Sequence, residues 1–347
     1  MRLRRQLELG RGKSTVGLTA ALLLAVLLVE LVMIGSYVGA LHSPTPRDVP
    51  VAVAGPPTVV RGLEASIRAQ TGNALELEKV KDPAAAIEAI DQRRVYAALI
   101  GGARSDRLLV ASAASALIAE ELPRQLRQVE PPRRVLTVRD VMPLPASDSR
   151  GISPFYLVVG WLVGGYLGAT ILGLARGSAA RSRRLAATRI GALAAYAALS
   201  GVLGTLLAQE WIGVLAGNTL ALMGVGALMV FATGAATAAF QSLLGVAGTA
   251  LAVVLFVAIG NPTSGGPLAS QLLTHGFWAD VGPFLPPGAG TTLVRNVAYF
   301  DGNAVGAALL VLAAYATLGA AVTIAVGGRR SGSDDEVELT AGVAGAA

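Results

Sequence analysis

Between about Ser153 and Val326 the chain runs through one apolar stretch after another, with its few charges gathered between them. Nothing else in the sequence constrains its fold so strongly. Water does not solvate such runs, and a bilayer core of about 30 Å needs roughly 20 apolar helical residues to cross it. Composition agrees: 53% of the residues are hydrophobic and 14% are charged, where a soluble globular chain carries about a quarter. The expected fold is a polytopic α-helical membrane protein of six transmembrane helices. A small α/β extracytoplasmic domain is expected between helices 1 and 2.

The first span is expected over residues 14–41. Its 27 residues from Thr15 to Leu41 would reach roughly 40 Å as a helix, enough to cross with tilt. A signal peptide is the alternative, because arginines precede the run and Val38-Gly39-Ala40 resembles a cleavage site. The apolar stretch far exceeds a signal-peptide core of about 7–15 residues, which favours an uncleaved anchor. Five further spans are expected within 151–327, near Pro154–Ala175, Ile190–Ala208, Asn218–Ala239, Leu244–Ile259 and Ala304–Val326. The tail, residues 328–347, is small and polar and is expected to be disordered.

Where the charge sits orients the bundle. The net charge is +6, which alone would invite a nucleic-acid reading. The basic excess instead flanks apolar runs, in residues 1–13 and from Arg176 to Arg189, while residues 42–150 hold 15 basic and 13 acidic side chains. That is the positive-inside pattern of a membrane protein and argues against nucleic acid as a partner. Alternation from a cytoplasmic N-terminus puts the Arg176–Arg189 loop and Arg329-Arg330 inside. The 209–216 connection, which has no positive charge, and the 261–303 connection, which carries only Arg295, then fall outside, with both termini in the cytoplasm of a cell-membrane protein.

Residues 42–150 read as a soluble domain. Val49–Ala54 reads as a strand, TVVRGLEASIRAQTG as a helix ending at Gly72, and ALELEKV as a second strand. Asp82 is placed to cap a helix that has Pro83 at its first position. VYAALIG, RLLVASA and RRVLTVRD read as further extended segments around one more helix, so strand and helix alternate as in an α/β fold. The connection 261–303 is apolar in pieces too short to cross, broken by Pro262, Gly265-Gly266, Pro283 and Pro286-Pro287. Irregular backbone at membrane depth requires protein or a water-filled cavity around it. Two short re-entrant or interfacial helices are expected, near Leu268–Trp278 and Gly290–Phe300, with an amphipathic surface loop as the alternative. Pro262, Ser264, Gly265, Pro286, Pro287 and Arg295 mark this segment.

Few residues suggest chemistry. The chain has no cysteine and two histidines, His42 and His275, so thiolate metal sites are excluded and no metal or cofactor is expected. GRGKST at 10–15 ends like a phosphate-binding loop, but that pattern needs a glycine where Leu7 stands, and no strand precedes it. Ser264 and His275 share a segment without a nucleophile elbow. Glu30 is the one acid inside the first span, and such a group usually faces a bundle interior. It could line a path or hydrogen-bond a neighbouring helix. Gly160, Gly164 and Gly168 form a small-residue ridge for helix packing or for a dimer. Trp161, Trp211 and Trp278 read as interface anchors.

The order of parts, together with DVPVAVAG, RRVYAALIGG, NPTSGG and GPFLPPGAGTTLVRN, resembles the type-two ABC exporter permeases, and within them the phage-infection-protein-like permeases. The GPFLPPGAG stretch departs from the asparagine–proline pattern commoner in that superfamily. The resemblance implies a permease subunit that dimerises, as a homodimer or a pseudo-symmetric heterodimer, and moves an amphipathic or lipid-like substrate. It implies an ATPase in a separate cytoplasmic chain, which agrees with the missing phosphate-binding loop, so this chain is not expected to be an enzyme. It also implies that Arg176, Arg181, Arg183, Arg184 and Arg189 dock that ATPase, where topology and anionic lipid would explain them equally. The competing function is a non-transporting anchor whose outer domain binds a cell-envelope component, a phage or a partner protein.

Overall fold

The computed structural model describes residues 2–102, 105–129, 135–176, 182–245 and 247–344. Helix α1 spans Arg2–Leu41. A five-stranded sheet with three helices follows: β1 Val49–Ala54, α2 Pro57–Thr71, β2 Leu75–Lys79, α3 Pro83–Asp91, β3 Ala97–Gly101, β4 Ser105–Val110, α4 Ala116–Val129 and β5 Val135–Asp140. Then come α5 Ser153–Arg176, α6 Arg183–Leu206, α7 Thr219–Leu244, α8 Ala247–Ala252, the single turn α9 Phe277–Asp280, α10 Pro286–Tyr299 and α11 Gly306–Ala344. Helices α6 and α8 each widen into a π-helical stretch, Leu207–Ile212 and Val253–Gly260.

Among the described residues, five helices are long and apolar enough to cross a membrane: Thr19–Leu41, Ser153–Ala175, Arg183–Ile212, Thr219–Leu244 and Gly306–Gly327. The expected fifth span is instead a shorter apolar helix, Ala247–Gly260. Its 14 residues would rise only about 21 Å as an α-helix. It stops where Asn261, Pro262 and the Gly265-Gly266 pair break the run. The long helices also outrun their apolar cores. The α1 backbone is helical from Arg2, and that of α11 continues through 328–344, where the sequence suggested disorder. No proline interrupts either extension, and adding a residue to an existing helix is far easier than nucleating one.

Polar residues at the helix starts explain where the elements begin. Asp82 accepts the Ala85 N–H at 2.8 Å, Ser182 the Leu185 N–H at 3.3 Å and Asn218 the Ala221 N–H at 3.0 Å. Gly245, at φ 63°, ends α7, and its N–H bonds the Gln241 carbonyl at 2.8 Å. The chain then folds straight back. Gly248 packs on the Phe240–Gln241 backbone so closely that a Cβ there would collide with it.

Helix α7 is the axis of the bundle, packed against α5, α6 and α11. Just over half of its apolar window, 56%, is buried, against 6% for α1. Helix α1 is peripheral and meets the π stretch after α8 near its own C-terminal end, where the Ser36 hydroxyl donates to the Ala258 carbonyl. The helix ends sort into two groups. A Cβ on Gly327 of α11 would stand 3.0 Å from the Ser182 carbonyl oxygen, just ahead of α6. At the opposite end the Thr274 N–H donates to the Ala40 carbonyl at 3.2 Å.

The sheet order is β2-β1-β3-β4-β5, parallel except for the antiparallel β3–β4 pair. Strands β1 and β3 at its centre are buried almost throughout, as strands covered on both faces are. Each face borrows from the 261–303 segment. Ala269 and Leu272 enter the core beneath α2 and α4, while Phe300 enters the core beneath α3. The sheet is therefore gripped from both sides by the chain that joins α8 to α11.

The close α6–α7 approach sets a stability test. A Cβ on Gly201 would come 2.5 Å from the Ala227 nitrogen and from the Met223 carbonyl oxygen, whereas one on Gly160 would meet nothing within 4 Å. Gly201→Ala should destabilise the protein by about 1–3 kcal/mol through overpacking. Gly160→Ala should leave stability unchanged or raise it by about 0.5–1 kcal/mol. Thermal unfolding in detergent micelles checks both.

Candidate functional site

The feature that ties the bundle to the sheet is α10. Pro286 and Pro287 occupy its first turn, where the missing N–H groups cost nothing and the fixed φ suits a helix. Leu285 ahead of them is extended, as a residue before proline prefers. Its apolar side chains Leu293, Val294 and Val297 sit in the bundle core, and it packs against α5, α7 and α11. Gly290 allows this, because its Cβ position lies 2.8 Å from the Met229 sulfur. A short helix is thus enclosed by three of the long ones, which is how irregular chain survives beside apolar spans. Of the two short helices expected here, the second is α10, which starts earlier than expected at Pro286. The first is absent: Leu268–Trp278 holds only the 3₁₀ turn Ser270–Leu272 and the start of α9.

The C-terminal half of α10 meets the sheet domain through a polar knot. Asp148, buried, accepts the Ile152 N–H at 3.2 Å and the Ser153 N–H at 3.1 Å, so it caps α5. The same carboxylate accepts the Tyr299 hydroxyl at 3.0 Å. Arg93 follows α3 in the left-handed region at φ 60°, unusual for a branched-chain-free but bulky residue and a mark of tertiary demand. Its Nε donates to the Asn296 side-chain carbonyl at 3.2 Å, and its guanidinium lies 4.6 Å from the centre of the Phe300 ring. A cation there suits both the ring face and the C-terminus of α10. Asn296 donates to the Ala304 carbonyl at 3.2 Å, and Asn303 donates to the Asp91 carboxylate at 3.0 Å.

Burial lowers the Arg93 pKa, and burial first, then the Asp148 carboxylate, raises that of the Tyr299 hydroxyl. Burial, then repulsion by Arg93, brings Arg295 down to about 10, which leaves it charged at neutral pH.

A second feature lies on the flank of the bundle between α5 and α6. A cavity of about 640 Å³ is lined by Tyr156, Gly160, Trp161, Tyr196, Leu199 and Leu203 among others, almost all apolar. Of the glycine ridge, Gly160 opens into this cavity, whereas Gly164 and Gly168 lie under the Tyr196 ring, 3.0 and 2.9 Å from its nearest atoms by their Cβ positions. Trp161 is not an interface anchor. It is buried, its indole N–H donates to the Ser200 carbonyl at 3.3 Å, and Gly204 and Gly226 leave room for its ring. Trp211 is exposed, and Trp278 lies against Gly39.

The arginines expected in one loop separate. Arg183 and Arg184 are exposed on the first turn of α6. Arg189 departs from a docking role: it is buried and turned inward, donating to the Ala169 carbonyl of α5 at 3.0 Å and to Gln241 of α7. Gln241 in turn donates to Thr170 at 3.1 Å and Thr249 at 2.8 Å. Arg189 and Gln241 together therefore brace four helices, α5, α6, α7 and α8. Arg181 and the Arg176 side chain lie outside the described residues. Glu30 does not face the bundle interior, because α1 is peripheral and Glu30 is exposed on it. Pro262 and Ser264 are buried; the Ser264 hydroxyl donates to the Asn261 carbonyl at 2.7 Å and accepts the Gly266 N–H. Gly265 takes φ 71°, a left-handed bend. No group of three or more potential metal ligands exists among the described residues.

The Asp148 knot generates a coupling test. Asp148→Ala removes the α5 cap and strands the Tyr299 hydroxyl, which should cost about 2–3 kcal/mol of stability. Tyr299→Phe alone should cost about 1–2 kcal/mol. The double variant should lose less than the sum, by about 1 kcal/mol, in thermal unfolding measured in micelles.

Comparison of the chain with protein-family models, with characterised proteins and with solved structures finds no match.

Proposed function

We propose that this chain is the permease subunit of an ABC-type exporter, driven by a separate cytoplasmic ATPase chain and moving an amphipathic or lipid-like substrate. On this reading it crosses the cell membrane six times, the shorter Ala247–Gly260 helix serving as the fifth crossing with the irregular chain after it. Both termini are cytoplasmic, the sheet domain is extracytoplasmic, and two such subunits pair.

The observation that carries the reading is the enclosure of α10. A binding domain that needs only an anchor requires a tether and nothing more. Here the sheet domain is held by Asp148, Arg93 and Asp91 to a segment that is itself packed among α5, α7 and α11. A shift of those helices would be transmitted to the outer domain, and the reverse. Two further observations fit. The α5–α6 cavity is apolar and large enough for an acyl chain. Arg183 and Arg184 project from the end of the bundle opposite the sheet, where positive charge belongs on the cytoplasmic side.

Affinity purification of the full chain from its native membrane in mild detergent tests this. An ATPase should be retained, and its hydrolysis of ATP should rise when a fluorescent phospholipid analogue is added. The Arg183→Glu, Arg184→Glu double variant should fold normally yet retain the ATPase about tenfold less well, a change of about 1.4 kcal/mol. A well-folded chain that brings down no ATPase would leave the anchor reading standing in its place.

A further inference from the structure

Beside the polar knot lies a second cavity, about 420 Å³, where the start of α4, the start of α5 and the Gly265–Ala269 strip converge. Arg295 lines it from below. Only 9% of this residue is exposed. Among the described residues its guanidinium makes one hydrogen bond, to the Gly265 carbonyl at 3.1 Å, and no carboxylate stands within ion-pair distance of it. The nearby Asp148 carboxylate is already occupied by two N–H groups and the Tyr299 hydroxyl. A buried guanidinium with donors to spare, and with no counter-charge closer than the engaged Asp148 carboxylate, is costly unless something anionic supplies it.

Other groups at the cavity have the same sign. Arg150, exposed at the mouth, is a second guanidinium. Helix α4 begins on the cavity wall: Ser115 caps the Ile118 N–H at 3.4 Å, while the Ala116 and Leu117 N–H groups, also on the wall, have no acceptor among the described residues. Free N–H groups at a helix start favour an anion. Among the described residues the one acid on the wall is Glu120, which is exposed. Leu117, Ile152 and Pro267 add apolar surface next to these donors. We infer that this cavity binds a phosphate group, held between Arg295, Arg150 and the first N–H groups of α4. Arginine forks and helix starts are matched to the tetrahedral oxygens of phosphate.

The phosphate could belong to a lipid headgroup or to a soluble phosphate compound. Ile152, the residue before α5, lines the cavity, and the apolar surface it offers with Leu117 and Pro267 would suit the glycerol end of a lipid. The inference does not depend on transport or on an ATPase, so it stands or fails separately from the proposed function.

Thermal stability of the purified full chain in a neutral detergent provides the test, with inorganic phosphate in one arm and phosphatidylglycerol against phosphatidylcholine in the other. Stabilisation by inorganic phosphate identifies a soluble ligand, and stabilisation by phosphatidylglycerol alone identifies a headgroup; either supports the site. Arg150→Gln, an exposed position that spares the fold, should weaken the effect about tenfold, as loss of a charge-assisted hydrogen bond does. Ala116→Pro deletes one N–H at a position that favours proline and should weaken it as well. Arg295→Gln should abolish it. The inference is overturned if neither probe stabilises the protein, or if both single variants at the mouth respond as the unaltered chain does.

Discussion

Hydrocarbon offers a peptide group nothing to bond with, and the layout of this protein follows from that constraint. Five long apolar helices satisfy their own backbones, and residues that cannot do so gather at their ends or are enclosed. Between Asn261 and Pro286 the irregular chain is buried at Asn261–Ser264 and where Ala269 and Leu272 enter the core of the sheet, and it leads into α10, which packs among α5, α7 and α11. Side chains finish the task at each end. Arg189 and Gln241 link α5, α6, α7 and α8 at one end, and Asp148, Tyr299, Arg93 and Asn296 link the sheet, α5 and α10 at the other.

The second knot gives the molecule its mechanical character. Asp148 serves two elements with one carboxylate, capping α5 while holding the end of α10. Arg93 reaches α10 from a left-handed backbone conformation that an arginine does not adopt without compensation. With Leu272 beneath one face of the sheet and Phe300 beneath the other, the domain cannot tilt without dragging the 261–303 segment. In the proposed permease, that rigidity would convert helix movement into movement of the outer domain.

Much of this was legible in the sequence, for reasons that are local. Apolar length marks a span, and Asp82 before Pro83 or Asn218 before an apolar run marks a helix start. The alternating strands and helices of the sheet domain follow from the same short-range signals. What was not legible depends on partners far along the chain. Arg189 counts as loop charge in a tally of basic residues, yet a helix that starts at Arg183 carries it inward to Gln241, 52 positions away. The Asp148–Tyr299 bond joins residues 151 apart. Gly160, Gly164 and Gly168 look alike in sequence, but Tyr196 covers two of them and leaves the third open to a cavity. Trp161 has the composition of an anchor and the surroundings of a core residue, because Gly204 and Gly226 make its pocket.

The proposed permease requires a bundle whose arginine-bearing end and sheet-bearing end lie on opposite sides of a membrane. The chain has no cysteine, so single cysteines can be introduced at exposed positions without background. In intact cells a membrane-impermeant maleimide should modify Lys81→Cys on the sheet domain, and should modify Arg183→Cys only after the membrane is permeabilised. Modification of Arg183→Cys in intact cells, with Lys81→Cys protected, would contradict the orientation and the permease built on it.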